Sequence, residues 1–381
     1  MKKMVLITPD DWHDLPAELL RSSDSAFRAV VIGPKGAGKS TLIKFLSKKL
    51  VSSKRSICVL ETDCGQPELV PPGVLGLSSS LPDAESRTRL VSQRFLGFVN
   101  PSNDPFSYIE TVEKVYQDYK DGFADSPLLI NCHGWHTGAG KETWEAIITL
   151  VQPHFVIHVG SENPEISFEH GLAFLSDSDY PTPTPRWISA SRVVIVDPPS
   201  GNIPNSSDKR WVKYASHFRQ DLVRKDVFKS CNISEFFAFP LCSFVTLQQD
   251  KVAVEFPCAD AIPDEKFRAI ELTLVGLGNR ESGQCYCLGF VMSFSETSVT
   301  IAVPTHIPKR YEEYIDVIYR GDLNWSPRDG VSHKGKTTST DFTSLPDGEP
   351  YFLTNVLVGE GTGARVVRNR TNLKRRRLEN S

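Results

Sequence analysis

Short apolar runs alternate with amphipathic stretches between residues 27 and 235 of this 381-residue chain. Continuous runs rich in Val, Ile and Leu are typical of strands buried on both faces of a sheet. Such runs predict strands at 27–32, 56–62, 92–98, 127–132 and 153–159, and a sixth at 192–196. Apolar residues at helical spacing predict helices at 40–50, 105–120, 140–151 and about 208–226. The alternation predicts an α/β fold, with a mostly parallel sheet covered by helices on both faces.

The pattern changes near residue 236. Short apolar runs then follow one another with no convincing amphipathic helix between them, at 244–247, 252–256, 270–277, 287–293 and 298–303. This pattern predicts a smaller β-rich C-terminal domain. The proline- and serine-containing stretch 177–187 and the Gly/Ser/Thr-rich stretch 327–345 are predicted to be loops. We expect an N-terminal extension at 1–26, an α/β domain at 27–235 and the β-rich domain at 236–381.

The composition excludes several classes of protein. A content of 40% hydrophobic and 23% charged residues is typical of a soluble globular protein. No stretch approaches the length of a membrane span, and the apolar run at the N-terminus ends at Pro9, too short for a good signal peptide. The net charge of −3 gives no general attraction to nucleic acid, so any such binding must be local. The 8 scattered cysteines are expected to be buried free thiols in a reducing compartment.

The sequence GPKGAGKST at residues 33–41 matches the phosphate-binding loop G-x-x-x-x-G-K-[ST] at every defined position. The strand before it and the helix after it are the context that this motif requires, which disfavours a chance match. We expect Lys39 to neutralise the β- and γ-phosphates of a nucleoside triphosphate and Ser40 to ligate Mg²⁺. The predicted nucleotide contacts are Gly33, Pro34, Lys35, Gly36, Ala37, Gly38, Lys39, Ser40 and Thr41.

Two acidic residues follow the strand predicted at 56–62, in the run ETDCGQ. In an open α/β sheet the ligand lies beyond the carboxyl ends of the strands, so these residues should face the phosphate loop. Asp63 could hold Mg²⁺, orient the attacking nucleophile or accept its proton, and Glu61 is expected to support it. The alternative is an acid that only caps a turn, and it is stronger for Glu61 than for Asp63.

The run NCHGWHTG at 131–138 also follows a predicted strand. Trp135, flanked by Gly134, could stack on a nucleobase or fix the phosphate loop, and the alternative is an ordinary core tryptophan. His133 and His136 are expected to be structural or to face the substrate, because two histidines three apart on a loop are weak support for a metal site.

Two basic features lie late in the chain. Arg219 and Arg224, in SHFRQDLVRK, could stabilise the charge of a transferred γ-phosphate, although a solvated helix face is the simpler interpretation of these residues alone. A basic cluster comprises Arg365, Arg368, Arg370, Lys374, Arg375, Arg376 and Arg377. It could bind a nucleic-acid backbone, direct nuclear import or form a disordered tail.

Together these blocks resemble the polynucleotide 5′-hydroxyl-kinase family, which comprises nucleolar pre-rRNA-processing kinases and the kinase of the pre-mRNA cleavage complex. The similar blocks are GPKGAGKST (33–41), ETDCGQPELVPPG (61–73), SPLLINCHGW (126–135), the arginine helix (216–225), LGFV (288–291) and PYFLTNVLVGEGTGARVVRNRTNLKRR (350–376). The residues after Asp63 favour the nucleolar branch. The large N-terminal domain of bigger relatives has no counterpart in this sequence.

The resemblance implies roles for individual residues. Lys39 and Ser40 match the ATP and Mg²⁺ ligands of the family, and Asp63, already a candidate Mg²⁺ ligand from its place at the strand end, matches its proposed general base for the RNA 5′-hydroxyl. Gly134 and Trp135 match a T-x-G-W clasp whose threonine is replaced here by Cys132, which lacks a strong hydroxyl donor. Gln66 is assigned with the clasp to the substrate side. Arg219 and Arg224 resemble the arginines of the lid.

The resemblance implies an ATP- and Mg²⁺-dependent kinase that phosphorylates the 5′-hydroxyl end of RNA during rRNA processing. A location in the nucleus, and within it the nucleolus, is expected from the resemblance and the basic cluster, and a nuclease is a possible partner. Two alternatives stay open. One is a nucleotide-binding scaffold with little turnover, and the other is an ATPase that transfers phosphate to water. The missing N-K-x-D and L-S-G-G-Q motifs argue against a Ras-like GTPase and a transporter ATPase.

Overall fold

The computed structural model describes residues 5–21, 26–53, 56–81, 88–160, 166, 168, 170–175, 179–196, 206–218, 242–257, 265–305 and 309–323. The chain divides into two compact units. The first comprises Met1–Val70, Val74–Leu96 and Asn100–Ile203, and the second Pro71–Gly73, Gly97–Val99 and Pro204–Ser381. Within the described residues, no helix is both long and apolar enough to cross a bilayer.

The first unit is an α/β layer structure. Its strands are β1 (Val5–Ile7), β2 (Arg28–Ile32), β3 (Ile57–Glu61), β4 (Val74–Ser80), β5 (Thr88–Phe95), β6 (Leu128–Asn131), β7 (Phe155–Val159), β8 (Arg186–Ala190) and β9 (Val194–Val196). Its helices are α1 (Leu15–Arg21), α2 (Lys39–Ser52), α3 (Pro105–Phe123) and α4 (Ala139–Val151), with 3-10 turns at Asp10–His13 and Gly171–Phe174.

Seven of these strands form one sheet in the order β5-β4-β3-β6-β2-β7-β8. The neighbouring strands β3, β6, β2, β7 and β8 run parallel to one another, whereas β4 pairs antiparallel with β3 and β5 antiparallel with β4. The predicted mostly parallel sheet is therefore confirmed. Because the carboxyl ends of β2, β3 and β6 meet at one edge, the residues that follow them are brought together.

Two sequence predictions need correction. The strand predicted at 192–196 does not join the main sheet; β9 pairs antiparallel with β1 instead, with Ile7 opposite Val194. The extra parallel strand is β8, which begins at Arg186 within the predicted loop 177–187 and pairs with β7. The sequence analysis did not predict β8, because the prolines that precede this strand are among the strongest signals for a loop.

Helices cover both faces of the sheet. Alternate residues of the strands point to α2, among them Ala29, Val31, Val59 and Ile157, and they form one buried cluster with Leu42, Leu46 and Leu50 of that helix. On the other face, the hydroxyl of Tyr108 in α3 donates to the Thr62 carbonyl. α3 begins at Pro105 because Asp104 caps it, accepting hydrogen bonds from the N–H groups of Phe106 and Ser107.

The second unit is built around a sheet. It contains α5 (Ser206–Phe218) and the strands β10 (Ser243–Gln248), β11 (Ala253–Glu255), β12 (Leu274–Gly278), β13 (Cys285–Phe294), β14 (Ser298–Val303) and β15 (Val317–Arg320). Short 3-10 turns lie at Arg268–Ile270 and Lys309–Tyr314. The six strands have the order β10-β14-β13-β12-β15-β11, and their inward side chains form a second apolar core. The predicted β-rich C-terminal region is confirmed, although the short runs did not predict β15.

Candidate active site

The phosphate-loop residues connect β2 to α2 with a backbone that only glycine adopts easily. Gly33, Gly36 and Gly38 have φ angles of 144°, 79° and 107°. A Cβ atom on Gly33 would lie 2.5 Å from the Val159 carbonyl oxygen, so a side chain there is excluded by contact as well as by conformation. The loop therefore presents its backbone to the space before the N-terminus of α2, as a polyphosphate site requires.

Lys39 lies at the start of α2 and is only 6% exposed. Its ammonium group donates hydrogen bonds to the carbonyl oxygens of Gly33 at 2.9 Å and Pro34 at 3.2 Å. Burial lowers the pKa of Lys39, while the nearby charge of Asp63 acts in the opposite direction. The Lys39 side chain is thus held within the phosphate loop by two of its carbonyl oxygens, close enough to Asp63 to interact with its charge.

A buried polar network links α2 to the ends of β3 and β6. The side-chain nitrogen of Asn131 donates to Ser40 Oγ at 3.2 Å and to Glu61 Oε1 at 2.7 Å. Glu61 also accepts the backbone N–H groups of Asp63 and Glu68. Burial, reinforced by the Asp63 charge, raises the pKa of Glu61 to about 8. Glu61 therefore orders the acidic run around Asp63 rather than facing solvent.

Asp63 follows β3 and is partly exposed. Its Oδ1 atom accepts the backbone N–H groups of Gly65 and Gln66, each at 3.0 Å. These bonds fix the carboxylate in a turn, while Oδ2 has no hydrogen bond from a residue that the structure describes. The turn-capping role and a role toward a ligand are thus divided between the two oxygens of one side chain.

The clasp residues lie against the phosphate loop through the backbone. A Cβ atom on Gly134 would come within 2.8 Å of both the Cα and the N atom of Lys35. The side chain of Cys132 is fully buried, and burial raises the pKa of this thiol to about 12. Contact with the loop is therefore made by the close approach of Gly134. The buried Cys132 thiol stays neutral.

His133 is a buried neutral ring that orients the clasp. Its Nδ1 accepts the Trp135 N–H, so Nε2 carries the proton and donates to Thr143 Oγ1 at 2.9 Å. Burial, and secondarily the Lys39 charge, lower the pKa of His133 to about 3. The ring also stacks on Trp144 at a centroid distance of 5.9 Å. With both ring nitrogens hydrogen-bonded and the pKa lowered by burial, His133 suits a structural role as a neutral ring.

Trp135 is half-buried, so it is not an ordinary core tryptophan. Its ring covers the first turn of α4, where a Cβ atom on Gly140 would lie 2.4 Å from two ring atoms. His136 is exposed beside it. One side of the Trp135 ring is packed against protein, and the residue retains exposed surface next to the loop that Gly134 contacts.

A cleft of about 240 Å³ begins at this network and continues along α2. Its lining combines apolar side chains with hydroxyls and charges: Ser40, Ile43, Lys44, Ser47, Lys48, Val51, Val59, Glu61, Glu68, Leu69, Ser80, Thr88 and Asn131. At its rim, Lys44 and Glu68 form an ion pair of 2.7 Å. The cleft shows that Ser40 and its polar partners border open space.

The residues present suit a magnesium nucleotide. The described residues hold no cluster of three or more His, Cys, Asp and Glu side chains that could cage a metal. Mg²⁺ instead commonly takes one or two protein oxygens together with substrate phosphates, and Ser40 and Asp63 could supply such oxygens. Among the residues that the structure describes, the buried side-chain atoms without a hydrogen-bond partner include Asn131 Oδ1 and Gln66 Nε2. An acceptor and a donor of this kind fit a metal-bound water and a phosphate or hydroxyl oxygen.

The predicted site residues differ in how far the structure locates them. The phosphate loop, Asp63, Gln66 and the clasp meet at one edge of the sheet, whereas Arg219 and Arg224 lie outside the described residues. The sequence interpretation missed Asn131, because a lone amide after a strand matches no motif. Its position directly before the clasp was the available signal. The roles assigned to all these residues stay predictions.

Several known proteins are similar to this chain. Residues 33–178 match the family model of the P-loop of the mRNA cleavage and polyadenylation factor CLP1. Polynucleotide 5′-hydroxyl-kinase grc3 of Schizosaccharomyces pombe is 31% identical over 193 residues, which cover 46% of this chain. Over this region the chain is similar to polynucleotide 5′-hydroxyl-kinases. Polynucleotide 5′-hydroxyl-kinase NOL9 of Arabidopsis thaliana is 25% identical over 337 residues, which cover 82% of this chain and 90% of that kinase.

The share of each relative that aligns with this chain differs widely. The aligned part spans only 26% of the fission-yeast kinase. Among solved structures, a Clp1p–Pcf11p complex superimposes with a TM-score of 0.58 at 10% identity, over 84% of this chain and 80% of the other. At that identity the superposition shows a shared fold. The predicted resemblance and the P-loop fold class are both confirmed.

Proposed function

We propose that this protein transfers the γ-phosphate of ATP to the 5′-hydroxyl end of RNA. The observation that carries the proposal is the meeting of the buried Lys39 ammonium, the Ser40 hydroxyl and the Asp63 carboxylate at one sheet edge. An NTP-binding loop alone does not direct phosphate to an acceptor. A carboxylate held opposite the loop by its own turn provides a place for an acceptor hydroxyl.

The chain's own groups divide the work of such a transfer. The loop N–H groups and Lys39 would bind and orient the phosphates, and Asp63 Oδ2 would accept the proton of the 5′-hydroxyl. The 5′-oxygen of the RNA then bonds to the γ-phosphorus, while the bond between that phosphorus and the oxygen of the leaving ADP breaks in line. Mg²⁺, held by Ser40 and Asp63, would neutralise charge on the phosphate oxygens. Arg219 and Arg224 would stabilise the transferred charge.

The setting of the reaction is inferred from the resemblance. The kinases that this chain resembles act on 5′-hydroxyl ends by name, and the nucleolar branch is favoured by the residues after Asp63. We therefore assign the protein to rRNA processing in the nucleus, in particular the nucleolus, with a nuclease as the partner that generates 5′-hydroxyl ends. The kinase domain is assigned to residues 27–235 and the β-rich domain to 236–381. The basic cluster at 365–377 is consistent with RNA binding or nuclear import.

One assay separates the proposed kinase from a scaffold and from an ATPase. Purified protein is incubated with γ-labelled ATP, Mg²⁺ and a 5′-hydroxyl oligoribonucleotide, and label is measured in RNA and in free phosphate. We expect label on RNA with the wild type and none with Lys39→Ala. Phosphate release that does not depend on RNA would indicate the ATPase, and ATP binding with no turnover of either kind would indicate the scaffold.

The role of Asp63 is tested in the same assay. Asp63→Asn retains an acceptor for the Gly65 and Gln66 N–H groups, so the turn should persist while the base is lost. We expect transfer to fall by at least about a hundredfold, in line with the loss of a general base, while ATP binding is retained. Unchanged transfer would show that the base is another group.

A further inference from the structure

The phosphate loop is contacted by a second segment besides the clasp. Residues 191–193, here termed the strap, connect β8 to β9. The Val193 N–H donates to the Ala37 carbonyl at 3.3 Å. A Cβ atom on Gly38 would lie 2.9 Å from Val193 Cγ1, so the Val193 side chain fills the space beside that glycine. The strap therefore touches the centre of the loop, whereas Gly134 touches it at Lys35.

The N-terminal 3-10 turn, Asp10–His13, holds the strap through the backbone N–H and carbonyl groups of Ser191. Asp11 Oδ2 accepts the Ser191 N–H at 2.7 Å, and the Trp12 indole N–H donates to the Ser191 carbonyl at 2.9 Å. Directly after the strap, β9 pairs with β1, so the backbone is fixed on both sides of Val193. About 180 residues of sequence separate these partners, so the bonds are tertiary contacts rather than local turn geometry.

The same turn also packs against the helix that begins the nucleotide site. Trp12 is fully buried, and its ring lies 6.0 Å from that of Phe45 in α2. Trp12 and Ala37 belong to one apolar cluster, against which Val193 packs. The turn thus supports the loop by two routes, through the strap at Ala37 and Gly38 and through α2 behind Lys39.

We propose that the N-terminal turn, through Asp11 and Trp12, positions the phosphate loop and thereby sets the affinity for ATP. The inference rests on the proposed function, because it takes ATP as the occupant of the loop. A loop with three glycines at positive φ loses much conformational freedom when it orders, and external contacts reduce what ligand binding must supply. Asp11 and Trp12 are positioning residues, since they act through Ser191 and Val193 rather than by touching phosphate.

The test is the Kd for ATP, measured by equilibrium dialysis with the full chain. Asp11→Ala removes the acceptor of the Ser191 N–H, and Trp12→Phe removes the donor to its carbonyl while keeping an aromatic ring. We expect each variant to bind ATP about three- to tenfold more weakly, the worth of one net hydrogen bond. Asp11→Asn keeps an acceptor oxygen and should restore the affinity of the wild type.

Two controls separate positioning from loss of stability. Asp10→Ala removes the same charge from the same turn, and no hydrogen bond ties Asp10 to the strap among the described residues. Leu19→Val trims a fully buried side chain of α1 in the same core cluster, which should lower the melting temperature. We expect both controls to keep the Kd for ATP of the wild type.

The outcomes for the inference and for the proposed function differ. If the wild type binds ATP and Asp11→Ala binds it equally well, the inference is overturned and the kinase proposal is unaffected. If the Asp11 and Trp12 variants lose affinity but the wild type labels no RNA, the inference is supported and the kinase proposal fails. A Leu19→Val variant with the same loss of affinity would overturn the inference, because general destabilisation would then account for it.

Discussion

The side-chain amide of Asn131, at the end of β6, lies 3.2 Å from the hydroxyl of Ser40 in the first turn of α2. The same nitrogen bonds to Glu61 at the end of β3. One buried side chain therefore joins the residue expected to ligate Mg²⁺ to the acidic run that contains Asp63. In a buried network each member depends on the others, so the effects of substitutions should be coupled.

A double-mutant cycle on Ser40→Ala and Asn131→Ala tests this coupling. We expect each single variant to lower Mg²⁺-dependent transfer and the double variant to lose less than the product of the two effects. The expected coupling is about 0.5 to 3 kcal/mol, as for residues that share a hydrogen bond. The measurement is kcat/KM for ATP across a Mg²⁺ titration. Strictly multiplicative effects would show that Asn131 does not act through Ser40.

Gly134→Ala should disable nucleotide binding although it adds a single methyl group. The new Cβ would lie 2.8 Å from the Lys35 backbone, which cannot move without displacing the phosphate loop. We expect ATP affinity to fall by at least about fivefold, corresponding to the 1–3 kcal/mol typical of overpacking. Gly122→Ala is the matched control, since nothing lies within 4 Å of a Cβ atom there. Equal ATP affinities of the two variants would contradict this account of the clasp.

Trp135→Ala should raise the KM for RNA and leave the Kd for ATP within about twofold of the wild type. The Trp135 ring packs over Gly140 rather than beneath the loop and keeps exposed surface, which suits stacking on a nucleobase. Loss of a base–aromatic contact costs about 1 to 3 kcal/mol, so the KM for RNA should rise about fivefold or more. Trp135→Phe keeps an aromatic ring, so its KM for RNA should stay close to that of the wild type. Trp187→Ala, at a surface tryptophan of β8 that is 37% exposed, is the control. A change in ATP affinity alone would instead assign Trp135 to fixing the loop.

Protonation of His133 should contribute to acid destabilisation. Its folded-state pKa of about 3 lies below the ordinary value of 6.5, so the unfolded chain binds this proton first as the pH falls. The stabilisation is complete above pH 6.5 and is lost progressively toward pH 3. His133→Asn keeps an acceptor near the Trp135 N–H but cannot be protonated in this range. The difference in unfolding free energy between wild type and variant should shrink by about 1–2 kcal/mol from pH 6.5 to 5. Parallel curves in denaturant titrations would contradict the buried neutral ring.

Much of the α/β fold could be predicted because its central strands are continuous apolar runs. β2, β3, β6 and β7 were predicted within two residues of their observed ends. β4 was not, because Ser78 and Ser80, which lie opposite Val59 and Ile57, are buried hydroxyl residues and give no apolar pattern. Ser80 lines the cleft along α2, so no large apolar side chain is needed at that position to fill a core.

The candidate site was predictable where a motif fixes the chemistry. The spacing of the phosphate loop assigns Lys39 and Ser40 without any structure, and the end of a buried strand points to Asp63. The contacts that support the loop could not be predicted. Asp11 reaches Ser191, and Gly134 reaches Lys35, through tertiary folding over roughly a hundred or more residues. A local pattern carries no information about such pairs, whose register depends on the completed sheet.

The most direct test of the central claim compares two RNAs of one sequence, one with a 5′-hydroxyl and one with a 5′-phosphate. Both are incubated with γ-labelled ATP, Mg²⁺ and the wild-type chain, and the product is digested to nucleotides to locate the label. The account predicts label only in the 5′-hydroxyl RNA, recovered as the 5′-phosphate of its terminal nucleotide. Equal label in both RNAs, or label recovered only as free phosphate, would contradict it.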